Sequence, residues 1–181
     1  ITGAGVWNGL RFQNAGVSQI YYGNLQLISG ATFGILFDNT TNTPSPHQIF
    51  YTTIGTPTAR PSDGISIDTG SPAGFVMPQL FFNTIYATNY PVRVNDTNAT
   101  PLTPPRISHN YLFSNSSTHL RYFCSAGTPT TMYSELNYFG GGAPTVTPLG
   151  GGTIDALPYL LSDPTTTNAG ATYGQPFRIN G

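Results

Sequence analysis

One short strand-and-turn pattern recurs along residues 8–139 of this 181-residue chain, at a spacing of 25–31 residues. Its first element is an apolar-x-apolar triplet entered from glycine or proline. The copies are Gly9-Leu10-Arg11-Phe12, Gly34-Ile35-Leu36-Phe37, Gly64-Ile65-Ser66-Ile67 and Pro91-Val92-Arg93-Val94, with a weaker fifth at His119-Leu120-Arg121-Tyr122. A second element, apolar-x-apolar-x-x-apolar, lies between them. It reads Ile20/Tyr22/Leu25, Ile49/Tyr51/Ile54, Leu80/Phe82/Ile85 and Ile107/His109/Leu112, and degenerates over Met132 to Phe139. The two elements advance together, which a chance match of one would not do.

Period-2 triplets of β-branched and aromatic residues are short strands with one buried face. Glycine and proline interrupt every stretch long enough for a helix. Neighbouring hairpins would need two- to five-residue turns, and few are evident. Units that bury a face only by stacking on their neighbours make a solenoid. The expected fold is therefore all-β: a parallel β-helix of about five coils, rungs about 4.8 Å apart, with an irregular C-terminal segment. Leu10/Phe12, Ile35/Phe37, Ile65/Ile67, Val92/Val94 and Leu120/Tyr122 are expected inward. Strict alternation in the second element sends Tyr22, Tyr51, Phe82 and His109 inward and Tyr21, Phe50 and Phe81 outward.

The regular coils are expected over 1–139. A Gly/Pro-rich linker follows over 140–152, holding Gly140-Gly141-Gly142 and Gly150-Gly151-Gly152. Residues 153–181 read as a cap or a strand swapped with a neighbouring subunit, because open rungs expose unpaired backbone. No cap precedes Ile1, so the chain is expected to belong to a longer protein or an assembly.

The run Val17-Ser18-Gln19-Ile20-Tyr21-Tyr22-Gly23-Asn24-Leu25-Gln26-Leu27-Ile28-Ser29-Gly30, followed by Phe33-Gly34-Ile35-Leu36-Phe37-Asp38-Asn39, resembles one coil of a right-handed parallel β-helix of the pectate-lyase type. Pectinases and bacteriophage tailspikes share that fold, and the resemblance spans roughly residues 3–139. It implies either a tailspike- or fibre-like appendage, trimeric as tailspikes are, or a polysaccharide hydrolase or lyase.

Composition narrows the partners. Charged residues make up 7% of the chain, against about 25% in ordinary globular domains. Lysine is absent, Glu135 is the only glutamate and the net charge is −1. Such a surface does not suit duplex nucleic acid, which demands clustered cations. No apolar run reaches the 18 or so residues that span a bilayer. The lone Cys124 excludes an internal disulfide, and neither it nor His47, His109 and His119 has metal-ligand spacing. No cofactor motif is present. Uncharged Thr/Asn/Gly-rich surfaces accompany extracellular and virion proteins, as do N-glycosylation sequons at Asn39, Asn95, Asn98 and Asn115. The chain is thus expected outside cells or on a virion, contacting other virion proteins and a host surface polysaccharide.

The sharpest local motif is Ser62-Asp63-Gly64-Ile65-Ser66-Ile67-Asp68. It resembles the Asn-Thr-Asp-Gly coil of polygalacturonases, which makes Asp63 a candidate catalytic carboxylate. Glycosidases need a second carboxyl, and Asp68 or Asp96 is the candidate. The competing reading is that Asp63 caps a glycine turn, and the family's Asp-Asp, Gly-His-Gly and Arg-Ile-Lys motifs are missing. Arg93 and Arg121, outward on neighbouring rungs, suit an acidic sugar or phosphate, or are solvated strand residues. Outward Tyr21, Phe50 and Phe81 suit sugar stacking or subunit packing. A surface appendage, a secreted polysaccharide hydrolase or lyase, and a jelly-roll capsid or adhesin domain all remain open at this stage.

Overall fold

The structure, a computed structural model, describes residues 8–13, 17–26, 30–38, 47–69, 77–97, 103–125 and 130–161. Every strand pairing among these residues is parallel, and there is no helix. A first sheet stacks β1 (Leu10–Gln13), β4 (Phe33–Asp38), β7 (Asp63–Thr69), β10 (Tyr90–Asp96), β13 (Leu120–Cys124) and β15 (Val146–Gly150) in that order. A second stacks β2 (Gln19–Tyr21), β5 (Gln48–Phe50), β8 (Gln79–Phe81) and β11 (Arg106–Ser108). A third stacks β3 (Asn24–Leu25), β6 (Thr53–Ile54), β9 (Thr84–Ala87) and β12 (Tyr111–Ser114). Each of the first four turns visits the three sheets once, so the chain is a β-solenoid. A jelly roll, built from antiparallel pairs, is excluded by this pairing.

The fifth and sixth turns are less regular. β14 (Thr130–Tyr133) pairs with β16 (Gly152–Asp155), and single parallel bridges join Tyr111 to Tyr138 and Tyr138 to Leu160. β15 lies within the stretch expected as a linker and pairs along its full length with β13. Residues 162–181 and the sequons at Asn39 and Asn98 lie outside the described residues.

Register is set by like stacking on like. Leu10, Ile35, Ile65, Val92 and Leu120 form one inward ladder, and Phe12, Phe37, Ile67, Val94 and Tyr122 another. Slipping a rung by one residue would send each of these side chains to the outer face. At Gly64, where the first and third sheets converge, there is room only for glycine. A Cβ at Gly64 would sit 2.2 Å from Ile85 Cγ2 and 2.6 Å from the Pro91 carbonyl oxygen.

Candidate functional site

The second sheet presents a flat outer face built from a three-residue unit. Gln19-Ile20-Tyr21, Gln48-Ile49-Phe50 and Gln79-Leu80-Phe81 pair in register. The central residue packs inward, so its two neighbours face out. The aromatic column follows the solenoid axis: Tyr21 and Phe50 lie 5.3 Å apart edge-to-face, and Phe50 and Phe81 lie 5.2 Å apart. Beside it runs an amide column, in which Gln19 Nε2 donates to Gln48 Oε1 at 3.2 Å and the Tyr21 hydroxyl bonds the same oxygen. The fourth turn ends both columns, with Arg106 and Ser108 at the equivalent positions.

A second aromatic column stands at the adjoining corner, where the sequence pattern predicts inward residues. Tyr22, Tyr51, Phe82, His109 and Leu136 all adopt positive φ, between 53° and 57°. Five non-glycine residues in that region, one per turn, mark a repeated corner that holds a disfavoured conformation. The left-handed residue breaks the alternation. It faces outward like the residue before it, and the residue after it turns in. This corrects the inward placement of Tyr22, Tyr51, Phe82 and His109. Their rings stack at 5.1, 5.2 and 5.1 Å, the first two pairs nearly parallel. Tyr22 caps the stack and is 78% exposed.

Thr52, Asn83, Asn110 and Asn137 occupy the inside of that corner and are fully buried. Asn83 Oδ1 accepts from the Thr52 N–H at 2.9 Å, Asn110 Oδ1 from the Asn83 N–H at 2.8 Å, and Asn137 Oδ1 from the Asn110 N–H at 2.9 Å. Their Nδ2 groups donate to the carbonyls of Ile49, Leu80 and Ile107 at 2.7, 2.8 and 2.9 Å. This amide ladder supplies the backbone partners that the corner takes out of the sheets. It fixes both aromatic columns, and the sequence reading missed it. The available signal was the asparagine following each corner residue at 83, 110 and 137, a spacing of 27.

The outer face of the first sheet gathers the charges. Arg93 Nη2 donates to Asp68 Oδ2 at 3.1 Å. Its Nε lies 2.7 Å from Asp63 Oδ2, an ion pair by distance although the N–H is not aimed at the oxygen. The Ser66 hydroxyl donates to the same Asp63 oxygen at 3.2 Å. Burial pushes the Asp63 carboxyl above its ordinary 3.8, opposed by the neighbouring Arg93 cation and the Ser66 bond. Asp38 pairs with Arg11. Asp96 does not join this group. It shares the parity of Val92 and Val94 along β10, so it faces the interior, fully buried, and accepts from the Thr69 hydroxyl at 3.1 Å. Of the two candidate second carboxylates, Asp68 is the one that shares a partner with Asp63.

Arg93 and Arg121 are register partners on neighbouring rungs. The Arg93 charge is engaged by two carboxylates, whereas the Arg121 guanidinium stands 5.7 Å from the centre of the Tyr90 ring, within the range of a cation–π contact. Cys124 is buried. Among the described residues no group of three His, Cys, Asp or Glu side chains is placed to hold a metal ion. Comparison of the chain with protein-family models, curated proteins and solved structures returns no match.

Proposed function

We propose that this chain is the β-solenoid part of a virus or phage surface appendage, tailspike- or fibre-like, that attaches to a neutral glycan of the host surface. The observation that carries this reading is the aromatic–glutamine face of the second sheet and its corner. Sugars offer apolar C–H faces ringed by hydroxyls. A matching surface supplies aromatic rings with amide and hydroxyl groups beside them, and no charge. Gln19, Gln48, Tyr21, Phe50 and Phe81 supply that combination over three rungs. In this reading the chain is a right-handed coil, works as a homotrimer on the virion exterior and contacts other virion proteins.

Surface plasmon resonance against purified host polysaccharide tests it. Tyr21→Ser with Tyr22→Ser removes the first-turn ring of each column and is expected to weaken binding at least about 10-fold, the scale of a hot-spot residue. Unchanged affinity would overturn the reading. So would light scattering that shows the same pair of substitutions dissolving an oligomer that never bound glycan, since the face is then a subunit contact.

A second reading, a polysaccharide hydrolase or lyase on the same coils, is favoured by one observation. Asp63 is a buried carboxyl pushed upward in pKa beside the ion-paired Asp68, and a raised carboxyl is what a general acid requires. Asp63→Asn then abolishes any glycan cleavage, and undiminished cleavage removes Asp63 from the mechanism.

A further inference from the structure

Two histidines clasp the first and the last described turns in a similar way. Near the first turn, the Ser18 N–H donates to His47 Nδ1 at 3.0 Å, and the Gln48 N–H returns a bond to the Ser18 carbonyl at 2.9 Å. In the last turn, the Thr145 N–H donates to His119 Nδ1 at 3.1 Å, and the His119 N–H returns a bond to the Thr145 carbonyl at 2.8 Å. In both cases the outermost described rung hands an N–H to an imidazole on the next rung inward. The interior rungs do not need the device at the first of these corners. Ser18 and His47 are followed in register by Pro78 and Pro105, which have no N–H to satisfy.

Each clasp works only while Nδ1 carries a lone pair, because a protonated imidazole is a donor at both nitrogens. We infer that His47 and His119 are acid-sensitive clasps. Acidification through the histidine range loosens the first and last turns while the asparagine-laddered middle stays closed. This inference is independent of any glycan site.

The surroundings favour neutral rings. His47 is fully buried against Phe37 and Phe12, with ring centres 4.9 and 6.4 Å away. The charged residues on those strands, Arg11 and Asp38, project from the opposite face and pair with each other. His119 packs edge-on against Phe139 at 5.0 Å. On β10 and β13 around it, Arg93 and Arg121 project outward, and Asp96 faces inward at the far end of β10. Tyr90, Tyr122, Cys124 and Tyr138 are the other titratable groups on the packed elements. Burial lowers both rings from the ordinary 6.5. Between 6.5 and the lowered folded value a released imidazole takes up a proton and a clasped one does not. The clasp is therefore at full strength above 6.5 and weakens progressively as the pH falls.

Amide hydrogen exchange by NMR at pH 7 and pH 5, corrected for intrinsic rates, reads this rung by rung. Protection at Ser18 and Thr145 is expected to fall several-fold, with a ceiling of about 30-fold per histidine. Protection at Thr52 and Asn83, held by the amide ladder, is expected to hold. His47→Asn and His119→Asn keep an acceptor without a titration, and each should abolish the loss at its own end. Equal losses along the column, no loss at either end, or the same loss in the variants would overturn the inference. Should a variant fail to fold, ¹⁵N imidazole shifts of the unaltered chain decide: both rings must carry their proton on Nε2 at pH 7, and a proton on Nδ1 of either would overturn it.

Discussion

At the residue scale, buried amides hold the repeated corner together. Asn110 accepts one backbone N–H and donates to two carbonyls, of Leu80 and Ser108, while also reaching Asn137. Replacing it by alanine removes the acceptor of the buried Asn83 N–H and the side-chain donor to the Leu80 carbonyl, while the Ser108 carbonyl keeps the Phe82 N–H at 3.4 Å. Each orphaned group costs about 1–3 kcal/mol, so Asn110→Ala is expected to lose about 3 kcal/mol, read as a lowered urea midpoint with an unchanged slope. A loss below about 1 kcal/mol would mean that the ladder is not what holds the corner. Asparagine 27 residues apart was visible in the sequence, but polar residues in a chain this rich in Asn and Thr look like loop. Only the corner geometry shows that they are interior. The inward side of Asp96 was legible, since it shares the parity of Val92 and Val94 along its strand.

At the element scale, the first-sheet strands were legible nearly residue by residue. Their apolar-x-apolar triplets obey the period of two, and glycine or proline announces most entries. The second element was half legible. Its anchors Ile20 and Leu25, and their equivalents in later turns, are inward as the spacing demands. The residue between was misplaced because a single left-handed position inverts the phase of everything after it, and no residue type there announces it: Tyr, Phe, His and Leu all serve. Glycine is legible where space rather than φ selects it. Gly64→Ala forces a methyl into Ile85 and the Pro91 carbonyl, one a side chain that can shift and the other backbone that cannot shift freely. Overpacking of that kind costs about 1–3 kcal/mol, and a thermal melt of the variant should fall by several degrees. A melt matching the parent would mean that the first and third sheets can part at that rung without penalty.

At the scale of the whole molecule, a solenoid separates its interior from its faces more cleanly than a globular fold does. Its interior is a continuous column, and each outer face repeats one chemistry along the axis. The first sheet carries ion pairs that neutralise one another, with Asp63 and Asp68 sharing Arg93. The second sheet and its corner carry rings and amides. Such a division suits a surface that holds a long, uncharged, repeating ligand better than one that cuts it. The direct test incubates the chain with host-surface polysaccharide and measures, in one sample, the amount retained and the mass of the polysaccharide afterwards. Retention of intact polysaccharide, lost in the Tyr21→Ser, Tyr22→Ser variant, is the predicted result. Polysaccharide released as shortened products, with the shortening abolished by Asp63→Asn, would contradict it.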